Sequence, residues 1–178
     1  MILVRPDVKY AQSYLEMLLS MLTLGEFHYK SDLAFMNFSG YVKFLNDLAS
    51  AENVPADWVP STTFWLVDEE GGMVFGMVDI RHKLNDMLEH ELGHVGYAIR
   101  PDRRNRGFGT MILAMGLKKA AGLGLTRLLV TCDTDNVASG LIIENNGGEL
   151  EDYRVSKVTG KQKARYWIDL TAEEVDCG

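Results

Sequence analysis

The stretch "HELGHVGYAIRPDRRNRGFGT", residues 90–110, holds two sets of residues whose types and spacing could do chemistry. His90, Glu91 and His94 have the H-E-x-x-H spacing of a zinc protease. On a helix, two imidazoles four residues apart lie about 6 Å apart along the axis on one face, so both can reach one ion. Arg104, Gly107, Gly109 and Thr110 read R-x-x-G-x-G-T. Glycines carry no Cβ, so backbone N–H groups there can close on a phosphate. The two signatures cannot both be functional, and the residues around them decide between them.

Val95, Tyr97 and Ile99 alternate as in a strand. Gly93 and Gly96 disfavour helix, and Pro101 ends the element. In an extended chain the two histidines stand about 13 Å apart, too far to share a tetrahedral metal. The histidines are His28, His82, His90 and His94, so none lies downstream as a third ligand, and a later carboxylate such as Glu144 is unmarked. A zinc peptidase is therefore the remotest reading, and no metal site is expected. The glycine loop fits its setting better, since strand, basic loop and apolar helix follow in order. The helix adds a partial positive N-terminus, a seat for pyrophosphate, and Arg104 and Arg106 offer counter-charge. A dinucleotide G-x-G-x-x-G would need glycine at Ile112. A P-loop needs Gly-Lys-Ser/Thr, which never occurs.

These residues need elements to hold them. "ILVR" reads as a short strand. "PDVKYAQSYLEMLLSMLTL" reads as a helix entered at Pro6, with Tyr14, Leu15, Leu18, Leu19 and Leu22 on one side. A second helix is expected around Gly40 to Ala49, then a loop at Pro55 and Pro60. "STTFWLV" and "MVFGMVDIRH" form a hairpin, while "KLNDMLEHEL" is ambiguous. "GHVGYAIR" is a strand, "GTMILAMGLKKAAGLG" a helix and "TRLLVTCD" a strand. "NVASGLIIENNGG" is a helix capped by Asn136 and stopped by Gly147. "ELEDYRVSK" and "KARYWIDL" close as an antiparallel pair. The order β-α-α-β-β-β-α-β-α-β-β is a mixed α/β sheet, expected as one domain over residues 1–178.

The net charge of −7 argues against non-specific nucleic-acid binding. Against it, four of the seven residues from Arg100 to Arg106 are arginine, which points to an anionic ligand. "MILVRPDVKY" has no leader-like apolar region, and no run approaches the ~18 apolar residues of a membrane span. Cys132 and Cys177 match no metal or redox spacing. They read as reduced thiols of a cytoplasmic protein, with a disulfide between them left open.

With these motifs in place, the chain resembles the GNAT superfamily of acyl-CoA-dependent N-acetyltransferases. The residues that carry the likeness are "YAIRPDRRNRGFGTMILAMGLKKAAGLGLTRLLVTCDTDNVASGLIIENNGG", with the loop at Arg104 to Gly109 and an N-x-x-[AS] helix start at Asn136 to Ser139. "VPSTTFWLVDE", "IRHKLND", "GHVGYAIRP" and "ARYWIDL" resemble a subgroup of predicted acetyltransferases of unnamed acceptor. The resemblance implies a GNAT fold of α/β (α+β) class: a twisted, mostly antiparallel mixed sheet, flanked by helices, with a splayed central strand pair. It implies acetyl-CoA as acyl donor, lying between the strand of Tyr97 to Ile99 and that of Leu128 to Thr131. Backbone near Ile99 would pair with the pantetheine arm. The N–H groups of Asn105, Arg106, Gly107, Phe108, Gly109 and Thr110 would hold the pyrophosphate. Asn136 would reach the cofactor from the far side. A strand N–H near Ala98 or Ile99 would polarise the thioester carbonyl.

The implied activity is acetyl transfer to a primary amine, small molecule or peptide, by direct attack. The alternative is a module that binds acyl-CoA without turnover. Two departures motivate it. Ile143 stands where many relatives place a tyrosine acid, and Gly93 where some place a glutamate base. A thiolate with a parent pKa near ~8.5 leaves acceptably without that acid. For the base, His82, His90, His94, Glu89 and Glu91 are candidates. His82 is preferred, because an antiparallel neighbour would set it opposite Gly93. Most aromatics between Phe27 and Trp65 are expected in the core, with a few lining the acceptor pocket, as that segment does in the superfamily. No nucleic-acid or membrane partner is expected. The oligomeric state stays open, although homodimers are common in the superfamily.

Overall fold

The computed structural model describes residues 1–26 and 30–170. Phe27, His28, Tyr29 and Cys177 lie outside the described residues. The strands are β1 (Ile2–Val4), β2 (Ser61–Val67), β3 (Val74–Arg81), β4 (Val95–Ile99), β5 (Arg127–Asp133), β6 (Glu149–Val155) and β7 (Gln162–Asp169). The helices are α1 (Ala11–Leu22), α2 (Ser31–Met36), α3 (Phe38–Asp47), α4 (Phe108–Gly122) and α5 (Val137–Glu144). One sheet runs β1-β2-β3-β4-β5-β7-β6. Every neighbouring pair is antiparallel except β4 with β5. Among the described residues no helix is long and apolar enough to cross a membrane.

The sheet has an apolar layer on each face. Side chains alternate along a strand, so Trp65 and Met77 meet α1 and α3 on one face. Leu66, Val78, Ile80, Val95 and Ile99 meet α4 on the other. The start of α1 differs from expectation. Pro6 does not open it; Asp7 caps a 3-10 turn over Val8–Tyr10, and α1 follows. Its buried face is Tyr14, Met17, Leu18 and Met21, at i, i+3, i+4 and i+7, while Leu19 is exposed. Tyr14 stacks on Trp65 with ring centroids 4.2 Å apart. The helix α2 was not anticipated. Asn37 ends it and, through its side chain, caps α3 at the Gly40 N–H, 3.0 Å away.

Two helices carry the anion-loop side of the molecule. Gly107, at φ 80, turns the chain into α4, a left-handed position that suits glycine. Asn136 accepts from Ser139 N at 3.1 Å to start α5. The start of α4 touches the last turn of α5 closely. A Cβ on Gly109 would stand 2.5 Å from Ile142 Cδ1, so a larger residue there must push the end of that side chain aside.

Candidate active site

The site begins where β4 parts from β5. The two are paired only at Val95 and Val130, and beyond that pair they diverge. The apex is tied by His94. Its backbone N–H donates to Leu129 O at 2.7 Å, and its Nδ1 accepts from Leu129 N at 2.9 Å. That acceptor role fixes the imidazole neutral, and burial followed by the Arg81 charge pulls its pKa down to about 4. The opening holds a cavity of about 270 Å³, lined by Tyr97, Thr131, Cys132, Asn136, Ser139 and Lys163 among others.

Ladder geometry decides which strand N–H groups face this opening. In an antiparallel pair, opposed residues alternate between bonded and non-bonded. Arg81 N donates to His94 O and Arg100 N to Phe75 O, in a register that also opposes Met77 to Ala98. Ala98 therefore spends its N–H on Met77 in the β3–β4 ladder. Tyr97 and Ile99 turn theirs to the gap. The expectation of an oxyanion donor at Ala98 is corrected on this ground; Ile99 keeps its place at the gap.

The loop before α4 presents free donors. From Asn105 to Thr110 no backbone N–H donates to a protein acceptor among the described residues. Asn105, at φ 59, and Gly107 turn the chain so that this run of N–H groups surrounds the helix N-terminus. Phe108 anchors the loop by packing edge-on against Phe75, ring centroids 4.9 Å apart. Arg106 is exposed, and it makes no ion pair among the described residues. Arg104 is a correction. Its guanidinium is not a spare counter-charge, because it forks onto Glu26 at 2.7 and 2.5 Å and donates from Nε to Ile99 O at 3.0 Å.

On the opposite face of the sheet lies a second cavity, of about 670 Å³. It shares Arg81, Leu92, Gly96 and Tyr97 with the first, so the two meet at β4. Its floor is Ser61, Thr63, Met77, Asp79 and Ala98. Among the described aromatics between Phe27 and Trp65, Trp58 lines it. Tyr41 and Trp65 are fully buried in the core instead.

The candidate bases scatter. His82 shares the face of Ile80 and Val78, and its Nε2 lies 2.8 Å from Thr62 Oγ1. Its N–H goes to Pro60 O, and it lines neither cavity. Gly93, at φ 65, turns away to β5, where a Cβ would run into the Leu129 carbonyl. Neither a glutamate nor a facing imidazole fits that position. His90 sits on a π-helical turn over Leu88–Leu92, not on a strand, and its Nε2 meets Val155 O at 3.0 Å. With His94 clasping Leu129, the two HELGH imidazoles serve separate strands. Glu91 is buried, and Ser156 and the Lys157 N–H hold its carboxyl below the usual range. Glu89 is exposed.

Two residues at the cavities were missed in the sequence. Asp79 faces the larger cavity opposite Gly96, its Oδ1 accepting from Thr63 Oγ1 at 2.9 Å. Tyr97 reaches across the gap to α5, its hydroxyl 2.8 Å from Ser139 Oγ. The hairpin "MVFGMVDIRH" contained the signal for Asp79: it is the one acidic residue of that strand.

A family description, "Acetyltransferase (GNAT) domain", matches residues 22–149. The chain belongs to the GNAT acetyltransferase family. Solved GNAT structures share its fold at low sequence identity. The ribosomal-protein alpha-N-acetyltransferase RimL, in complex with coenzyme A, superposes with a TM-score of 0.71 at 13% identity over 98% of this chain and 94% of that one. The microcin self-immunity acetyltransferase MccE, in complex with acetyl-CoA and AMP, gives 0.68 at 13% over 94% and 91%. A spermidine N-acetyltransferase chimera of Vibrio cholerae SpeG and hSSAT gives 0.68 at 14% over 99% and 100%. A comparison with curated protein sequences finds no match. Within the GNAT frame, Ile143 is fully buried against the sheet, so α5 offers no acid at that position.

Proposed function

We propose that this GNAT protein transfers the acetyl group of acetyl-CoA to an amine by direct attack on the thioester. One observation carries the reading. The unpartnered N–H run from Asn105 to Thr110 lies on the α4 side of a strand gap that opens, through β4, into a separate cavity. A donor and an acceptor can therefore enter from opposite faces. The loop and the α4 N-terminus would hold the pyrophosphate, with Arg106 adding charge. Ile99 and Tyr97 would pair with the pantetheine arm and the thioester carbonyl, and Asn136 would border the arm. RimL, MccE and related folds bind coenzyme A or acetyl-CoA, which supports the same donor here.

The amine lone pair attacks the thioester carbon, and its proton leaves toward the larger cavity. The tetrahedral oxyanion sits on a gap-facing N–H. Collapse expels the CoA thiolate, which leaves without an acid at a parent pKa near ~8.5 and takes its proton from solvent. Burial pushes the Tyr97 phenol up to about 12, so it stays protonated at neutral pH and can donate a hydrogen bond to the departing sulfur. Tyr97 stands in for the position occupied by Ile143, which favours turnover over a binding-only module. Calorimetry with CoA tests the donor site. Gly107→Val should cost at least about tenfold in affinity, near 1.4 kcal/mol. Unchanged affinity in a folded variant would overturn it, as would absence of thiol release from acetyl-CoA across an amine panel.

A further inference from the structure

The larger cavity selects among amines by its walls. Met21, Leu45, Trp58, Met77, Met87 and Leu92 give it an apolar body, and unbranched methionines reshape readily around different apolar groups. Three carboxylates border it, but only one remains available on the floor. Glu26 is neutralised by its fork with Arg104. Asp57 is exposed at the rim. Asp79 uses Oδ1 for Thr63, and its Oδ2 forms an ion pair with Arg81 Nε at 3.9 Å, too long for a hydrogen bond, so that oxygen can still accept from a ligand. Arg81 turns instead to the carbonyl of Gly93, at 3.1 Å. Gly96, opposite Asp79, adds no side chain of its own there, and the Arg81 guanidinium lies over it, 3.5 Å from where a Cβ would stand.

We propose that the acceptor is a primary monoamine on a compact apolar body, whose ammonium docks on Asp79. This rests on the acetyl-transfer reading for the position of the attacked carbon. The docked ammonium loses one proton to solvent, the neutral amine attacks beside Gly96, and the Asp79 carboxylate takes the proton that becomes acidic on nitrogen as the C–N bond forms. The carboxylic acid releases that proton to solvent as the product leaves. A second cation, as on a polyamine, would have to be desolvated along apolar wall with no open carboxylate to receive it, which is costly. The same chemistry can come from a free amine or from the first residue of a peptide.

The test measures turnover and binding separately on the full chain. Thiol release from acetyl-CoA is followed with 2-phenylethylamine, 3-methylbutylamine, methylamine, spermidine and a tripeptide beginning with phenylalanine. Binding of the same compounds to the CoA complex is measured by calorimetry. The two apolar amines, the tripeptide or both should exceed methylamine and spermidine in kcat/KM by about a hundredfold. The better of the two sources identifies the natural one. Asp79→Asn should lose about a hundredfold or more in kcat/KM while CoA affinity stays within about twofold. Spermidine or methylamine preferred, or full activity in Asp79→Asn, overturns the proposal and leaves acetyl transfer standing. Apolar amines that bind in an Asp79-dependent way without any thiol release overturn acetyl transfer and leave the pocket's specificity standing.

Discussion

At the scale of single residues, strand parity and ladder phase separate groups that look equivalent in sequence. His82, just past the end of β3, is three residues from Asp79 on β3, so they fall on opposite faces of the sheet, and only Asp79 meets the cavity. Ala98 and Tyr97 are adjacent, yet one donates into the β3–β4 ladder and the other faces the gap. Tyr97 has the further property of a side chain that crosses the gap to Ser139. Tyr97→Phe should lower kcat by about tenfold, the value of one hydrogen bond to the charged departing sulfur, because a thiol of pKa near 8.5 is already a fair leaving group. KM for acetyl-CoA should move by less than about threefold. Steady-state kinetics with one fixed amine checks this; an unchanged kcat would make the phenol a packing group. His82→Ala in the same assay should stay within about twofold of the parent, since its imidazole lies behind the sheet.

At the scale of elements, most of the chain was legible because periodicity and punctuation agreed. "STTFWLV" and "MVFGMVDIRH" alternate cleanly and became β2 and β3. Asn136 and Gly147 bracket α5 as their capping chemistry requires. The misses have physical causes. Short α2 has one buried residue, Ala34, so its pattern carries no period. On α1 the methionines 17 and 21 won the core over Leu19 and Leu22, a choice that depends on which face the sheet presents. "LEHEL" formed a π-helical turn through tertiary contacts: Thr131 Oγ1 and the Lys157 N–H bind Glu91, at 2.9 and 2.7 Å. The loop's glycines were readable from sequence, but the partner of Arg104, 78 residues away in Glu26, was not. That partner leads to a contrast between neighbours. Arg106→Ala should weaken CoA binding about fivefold or more, the value of a lost charge-assisted contact, while Arg104→Ala should change it less than about threefold. Arg104→Ala should instead raise KM for the amine, because it frees Glu26 and loosens a cavity wall. Calorimetry and kinetics on both variants decide it, and a larger CoA loss in Arg104→Ala reverses the assignment.

At the scale of the whole molecule, one sheet must be continuous enough to hold two cores and yet open between β4 and β5. The single ladder pair Val95–Val130, the Gly93–Val130 bridge, the Thr131 bond to Glu91 and the His94 clasp on Leu129 join the two halves at the apex. A neutral, buried imidazole at that joint makes stability depend on pH. The folded pKa, about 4, lies below the ordinary 6.5. The unfolded chain therefore binds a proton that the folded protein refuses, and stability must fall as pH drops from 6.5 toward 4. Above 6.5 both states carry neutral imidazole and the contribution is constant. The charges facing the ring matter for the sign: Arg81 opposes protonation, and Trp167 packs beside it without charge. His94→Asn retains a side-chain acceptor near the Nδ1 position but does not titrate. The wild type should lose more Tm than the variant between pH 7 and pH 4.5, and the two curves should run parallel above pH 7. Carboxylates elsewhere contribute equally to both proteins, so the difference between the curves isolates the clasp. Parallel curves through pH 4.5 would mean that the Nδ1 bond to Leu129, which protonation must break, adds nothing to stability, and that the joint between the two halves of the sheet is held by backbone alone.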